Sequence, residues 1–151
     1  MIHQLTRQQI ITAPLEAVWD FFSSPSNLND ITPPDLHFEI LFGGDQPMYQ
    51  GQLMAYKIQL FPLIKTPWLT EITRVEEPFY FADQQHLGPY SFWNHEHFFA
   101  PVEEGVEMRD LVTYQLPLGP IGDLVHTLWV GPRLKRIFDY RAQKVRQVFT
   151  A

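Results

Sequence analysis

At 151 residues, 45% of them hydrophobic and 15% aromatic, the chain has enough apolar side chain for a sizeable core, which excludes a disordered polymer. A formal charge of -6, with 11 Lys and Arg scattered along the sequence, excludes a basic face that could neutralise phosphates, so no nucleic-acid partner is expected. The absence of cysteine excludes disulfides, a thiolate nucleophile and Cys-ligated zinc.

The segment Met1 to Arg7 lacks the charged-then-apolar run of a signal peptide. No stretch approaches the roughly 20 apolar residues that span a bilayer. A cytoplasmic protein without integral membrane association is therefore expected. No repeat, low-complexity tract or linker interrupts the chain, which reads as one domain over 1–151. Leu5 to Thr12 mixes polar and β-branched residues as a strand does. From Ala13 to Phe22 the period is helical, with Pro14 in the first turn and Leu15, Val18, Trp19 and Phe22 on one face. Ser24 to Leu28 predicts a cap and a second short helix, ended by Thr32-Pro33-Pro34.

From Leu36 to Leu116 the pattern alternates with period two, and strands are predicted at 36–42, 51–61, 66–76, 79–87, 90–100 and 106–116. Gly43-Gly44, Pro62, Glu77-Pro78, Gly88-Pro89 and Glu103-Glu104-Gly105 separate them, and links this short favour antiparallel hairpins. A helical period then returns from about Gly122 to Phe149, with Leu124, Leu128, Leu134, Phe138, Val145 and Phe149 as its apolar stripe. Gly131-Pro132 should kink or split this helix. Arg133, Lys135, Arg136, Arg141, Lys144 and Arg146 are assigned to its wet face.

The element order, with Ala13-Pro14 through Trp19-Asp20-Phe21-Phe22, Asn27-Leu28, Ile31-Thr32-Pro33-Pro34 and Gly88-Pro89-Tyr90, resembles the helix-grip superfamily. That superfamily includes START lipid-transfer domains, pathogenesis-related pollen allergens and polyketide cyclase/dehydrase-like proteins, often labelled SRPBCC. Trp93 to Phe99, Asp110 to Tyr114 and Ile137 to Arg141 resemble a bacterial branch of it with no established activity. The resemblance implies an α+β fold: a curved antiparallel sheet of about seven strands around a long C-terminal helix, two short helices after the first strand, and a cavity between sheet and helix.

Alternation sorts the side chains. On 90–100, Trp93, His95, His97 and Phe99 share the face expected to meet the cavity, opposite Phe92, Asn94, Glu96 and Phe98. The same sorting turns Met108, Asp110, Val112, Tyr114 and Leu116 inward, along with Tyr56, Ile58 and Leu60. Trp68, Thr70, Ile72 and Arg74 follow, as do Phe81, Asp83 and Gln85. The expected ligand wall is Tyr56, Trp68, Ile72, Arg74, Phe81, Trp93, His95, His97, Asp110, Val112 and Tyr114, with Leu134 and Phe138 from the helix. Access is expected near Leu63 to Pro67 and Pro117 to Pro120. A single register slip or bulge inverts any of these strands.

Buried charge must be paired, so the histidines and aspartates have two readings. In one, His95 or His97 acts as general base or acid, tuned by Asp83 or Asp110. In the other, they form a satisfied network that holds sheet register. A zinc site would need His86, Asp83 or Asp110 as third ligand beside His95 and His97; none is expected, and no other cofactor either. No nucleophile elbow or phosphate loop is present. Three functions stay open. One is binding of a small apolar or amphipathic molecule such as a lipid, polyketide, quinone or aromatic metabolite, by a monomer or weak homodimer. The second is a cyclase/dehydrase-type enzyme, and the third a structural or interaction protein with a closed cavity.

Overall fold

Short links between alternating segments leave each strand beside its sequence neighbour, and the sheet grows hairpin by hairpin. The structure, a computed structural model, describes residues 1–150; of the stretch 1–151, only Ala151 lies outside the described residues. Strand β1 (His3–Ile11) leads to helix α1 (Leu15–Phe22), two 3₁₀ segments (Pro25–Ile31 and Pro34–Leu36) and strands β2 (Glu39–Phe42) and β3 (Leu53–Phe61). Then come β4 (Ile64–Glu76), β5 (Tyr80–Leu87), β6 (Phe92–Val102) and β7 (Gly105–Gln115). The chain ends in an unbroken helical run: α2 (Gly119–Val125), a π-helical stretch (His126–Val130) and α3 (Gly131–Thr150).

All seven strands form one antiparallel sheet in the order β1-β7-β6-β5-β4-β3-β2. The first strand crosses to pair with the last, so α1 and the 3₁₀ segments are carried over one end of the concave face. Helix α3 lies across that face, burying Leu134 and Phe138 against Trp68, Trp93 and Val112. This is the expected helix-grip α+β fold. Burial of each of those two helix side chains contributes about 1.5–3 kcal/mol. A second cluster forms where Trp19 and Phe22 of α1 meet Phe81, Phe99, Val106 and Val145. Between β6 and β7, Gly105 has φ +141°, and any Cβ there would collide with the Ile11 carbonyl oxygen.

Two features of the helices take a more specific form than expected, and one of them corrects the apolar stripe. The second short helix is 3₁₀, tightened by Pro25 at its start. The predicted break at Gly131-Pro132 appears as the π-helical stretch immediately before it. Pro132 has no N–H to give the Leu128 carbonyl and its ring crowds that oxygen, which a wider turn relieves. The extra residue also rotates the upstream segment. Leu124 and Leu128, predicted on the buried stripe, are therefore exposed, while Leu134, Phe138 and Val145 are buried as expected.

Candidate functional site

Strand β6 places Trp93, His95, His97 and Phe99 on the concave face, and all four are buried. The register sets Asp83 of β5 opposite His95, and Asp110 of β7 opposite His97. Each carboxylate bonds the diagonal histidine instead. His95 Nε2 lies 2.8 Å from Asp110 Oδ1, and His97 Nε2 lies 2.9 Å from Asp83 Oδ2. His97 Nδ1 sits 3.3 Å from the same Asp110 oxygen, close enough for charge attraction but off the axis of a good hydrogen bond. The rings stack: Phe81 on His97 at 3.9 Å between centroids, and His97 on His95 at 3.7 Å.

Burial alone would raise the Asp110 carboxyl, but Arg141, the hydrogen bond from His95 and the nearby His97 hold it well below the usual range. Asp83 is lowered in the same way, its bond from His97 and the nearby His95 outweighing burial. His97 is raised: burial disfavours its charge, yet Asp110 and Asp83 prevail. His95 is lowered, first by burial and then by the cationic His97, against the pull of Asp110. These directions favour two carboxylates, a neutral His95 and, up to at least about pH 6.5, a His97 imidazolium, beside the Arg141 guanidinium. An ionised Asp110 accepts from His95 Nε2–H, which leaves His95 Nδ1 as an imidazole lone pair. Among the described residues, no protein group bonds that nitrogen.

An apolar cavity of about 170 Å³ borders this network. Of the expected wall, Tyr56, Trp68, Ile72, Phe81, Trp93, His95, His97, Leu134 and Phe138 line it, as does Asp83. Four expected residues do not. Arg74 points to solvent, where it pairs with Glu76 at 2.6 Å, because a bulge between Ile72 and Arg74 inverts the alternation of β4. Asp110 and Val112 sit behind the histidine layer, the first as hydrogen-bond partner and the second as fully buried packing. Tyr114 turns to the far end of the sheet, where its hydroxyl meets His126 Nε2 at 2.7 Å and His126 stacks on His3.

The cation at the cavity is Arg141 of α3, which the sequence reading put on the wet face. Its spacing from Leu134, Phe138 and Val145 places it on the buried stripe, so periodicity signalled what charge obscured. Leu28, Ile31, Thr32, Leu36, Phe38 and Met48 also line the cavity and were missed, because the segments that bear them carry no period; Phe22, read as part of the apolar face of α1, reaches the cavity as well. The partly exposed members of the lining are chiefly Leu28, Thr32, Phe38, Met48, Ile137 and Arg141. Access therefore lies between the 3₁₀ segments, the β2 to β3 loop and α3. Neither Leu63 to Pro67 nor Pro117 to Pro120 borders the cavity, a correction to the expected mouth. Asp83, His95 and His97 offer donor atoms within 4.8 Å of one another, but the cationic His97 and Arg141 oppose a divalent ion there.

No protein-family model and no curated protein sequence matches the chain. Solved structures do. The Zhui aromatase/cyclase from Streptomyces sp. R1128 superposes with a TM-score of 0.78 at 13% identity, covering 99% of this chain and 94% of that one. A protein from Chromobacterium violaceum gives 0.73 at 12% identity, covering 98% of each chain. Ara h 8.0201 gives 0.62 at 15%, covering 96% of this chain and 98% of its own. At such identities the likeness is one of fold. No helix among the described residues is long and apolar enough to cross a membrane.

Proposed function

We propose that this chain, as one domain over 1–151, binds a small apolar or amphipathic molecule in the cavity between sheet and α3. The observation that carries the reading is the cavity itself: a concave, largely apolar space with several aromatic walls, an access path and a few polar groups gathered at one side. The fold-level neighbours support ligand binding or cyclase-type chemistry, and an open cavity weighs against a purely structural role. The setting that fits best is a cytoplasmic monomer or weak homodimer.

Thermal-shift measurements on the intact chain, with a panel of quinones, fatty acids, aromatic polyketides and single-ring aromatic acids, test it. A ligand selective for the native state raises Tm by mass action. Ile58→Trp, which fills the cavity from a half-buried strand position, should abolish the shift and leave the fold intact. Absence of any shift across the panel would sink the reading.

A cyclase/dehydrase-type reaction is the second reading, favoured by one feature. His95 is neutral, oriented by Asp110 and presents an unused Nδ1 on the cavity wall, as a general base must. His95→Gln should then abolish turnover of a bound substrate while preserving its affinity. Equal loss of binding and turnover would assign His95 to recognition instead.

A further inference from the structure

We propose that the molecule taken up is a single-ring aromatic acid whose carboxylate is held by Arg141. This rests on the cavity being a binding site and names what the site selects. Size gives the first argument: a cavity of about 170 Å³ is close to the ~150 Å³ that holds one benzene ring, so long acyl chains and fused polycycles do not fit as the walls stand. Shape gives the second, since Phe38, Tyr56, Trp68, Phe81, Trp93 and Phe138 surround the space with aromatic faces and edges. These favour a flat, unsaturated guest.

The decisive group is Arg141. Arg7, Arg74, Arg133 and Arg136 each hold a carboxylate or carbonyl oxygen, whereas Arg141, among the described residues, bonds none. Its guanidinium stands over the rings of Phe22 at 5.5 Å and Phe138 at 5.8 Å, which orient it without using its N–H donors. The other polar groups there already have hydrogen-bond partners: His97 bonds Asp83, and Asp110 accepts from His95, so the charge of Arg141 offsets Asp110 through space while its N–H donors bond nothing. One guanidinium is thus left facing an apolar space, with a donor fork that fits a carboxylate bidentately. A phosphate dianion would bring twice the charge to a site whose own charges already balance, with Asp83 nearby. A monoanion is therefore favoured.

Calorimetric titration of the full chain with benzoate, nitrobenzene and benzylammonium separates the possibilities, because the first two share a shape and differ in charge. Wild type should bind benzoate at least about tenfold tighter than nitrobenzene, the worth of one charge-assisted pair. Arg141→Met should remove that preference, so that benzoate binds no tighter than nitrobenzene, with circular dichroism reporting that the variant is folded. Equal affinity for benzoate and nitrobenzene in wild type, or tighter binding of benzylammonium, overturns the proposal while leaving the cavity reading in place. If none of the three binds and the wider panel is also silent, both fall together. Should Arg141→Met fail to fold, the wild-type comparison alone decides.

Discussion

Asp110 holds together groups from three elements, so its removal should cost far more than a single hydrogen bond. Asp110→Ala leaves His95 Nε2–H without the acceptor it meets at 2.8 Å, and strips His97 of the carboxylate 3.3 Å from its Nδ1. Both rings are buried, His95 at 5% and His97 at 3% exposure, so water cannot readily compensate. Breaking a buried pair in this way costs about 3–5 kcal/mol. For a domain of this size the Tm should fall by about 6–20 °C. Asp110→Asn keeps an oxygen that accepts from His95 but cannot balance the His97 charge, so about 1–3 kcal/mol is expected. The pH dependence follows from the depressed Asp110 carboxyl. Its stabilisation is complete above the unfolded value near about 3.9 and disappears as pH falls through the lower folded value. The gap between wild type and Asp110→Asn should be full at neutral pH and close in strong acid. Urea melts of the three proteins across pH measure it. Equal costs for Ala and Asn, or a gap that does not change with pH, would refute a coupled charge network.

Ring NMR titration should show His97 losing its proton above about pH 6.5 and His95 gaining one only below it, as their opposite shifts require; the reverse order would refute the assigned charges. The stabilisation from His97 is accordingly complete below about pH 6.5 and lost as pH rises through its raised folded value. Arg74→Ala should change stability by less than about 0.5 kcal/mol and leave ligand binding untouched, since the side chain is 62% exposed; a loss of binding would return Arg74 to the cavity. Gly105→Ala should cost about 2 kcal/mol or more in denaturant melts, from the strained φ of +141° and the collision with Ile11, and a neutral result would disprove the tight turn there.

The sequence alone determined the periods. Alternation along 90–100 and 106–116 put His95, His97 and Asp110 on the inward face, because each strand has an uninterrupted polar-apolar rhythm and a short turn joins them. The stripe through Leu134, Phe138 and Val145 likewise located the gripped face of α3, and proline at 132 announced a local departure from the α-helix. Periodicity is a property of neighbours in the chain, and it ends where the pairing between distant segments begins. The bulge at Ile72 to Arg74 arises only when β4 is matched to β5, and it sends Arg74 outward. The diagonal choice of partners by Asp83 and Asp110 depends on two separate strand registers meeting at β6. The aperiodic segments carrying Leu28, Phe38 and Met48 acquire a role only when β1, crossing to β7, swings them over the open end of the sheet. Arg141 lies between the two cases: its spacing was legible, but its charge makes burial costly unless something faces it. Only the packed structure, with Asp83 on the cavity wall and Asp110 behind the histidines, supplies the surroundings that allow a cation there.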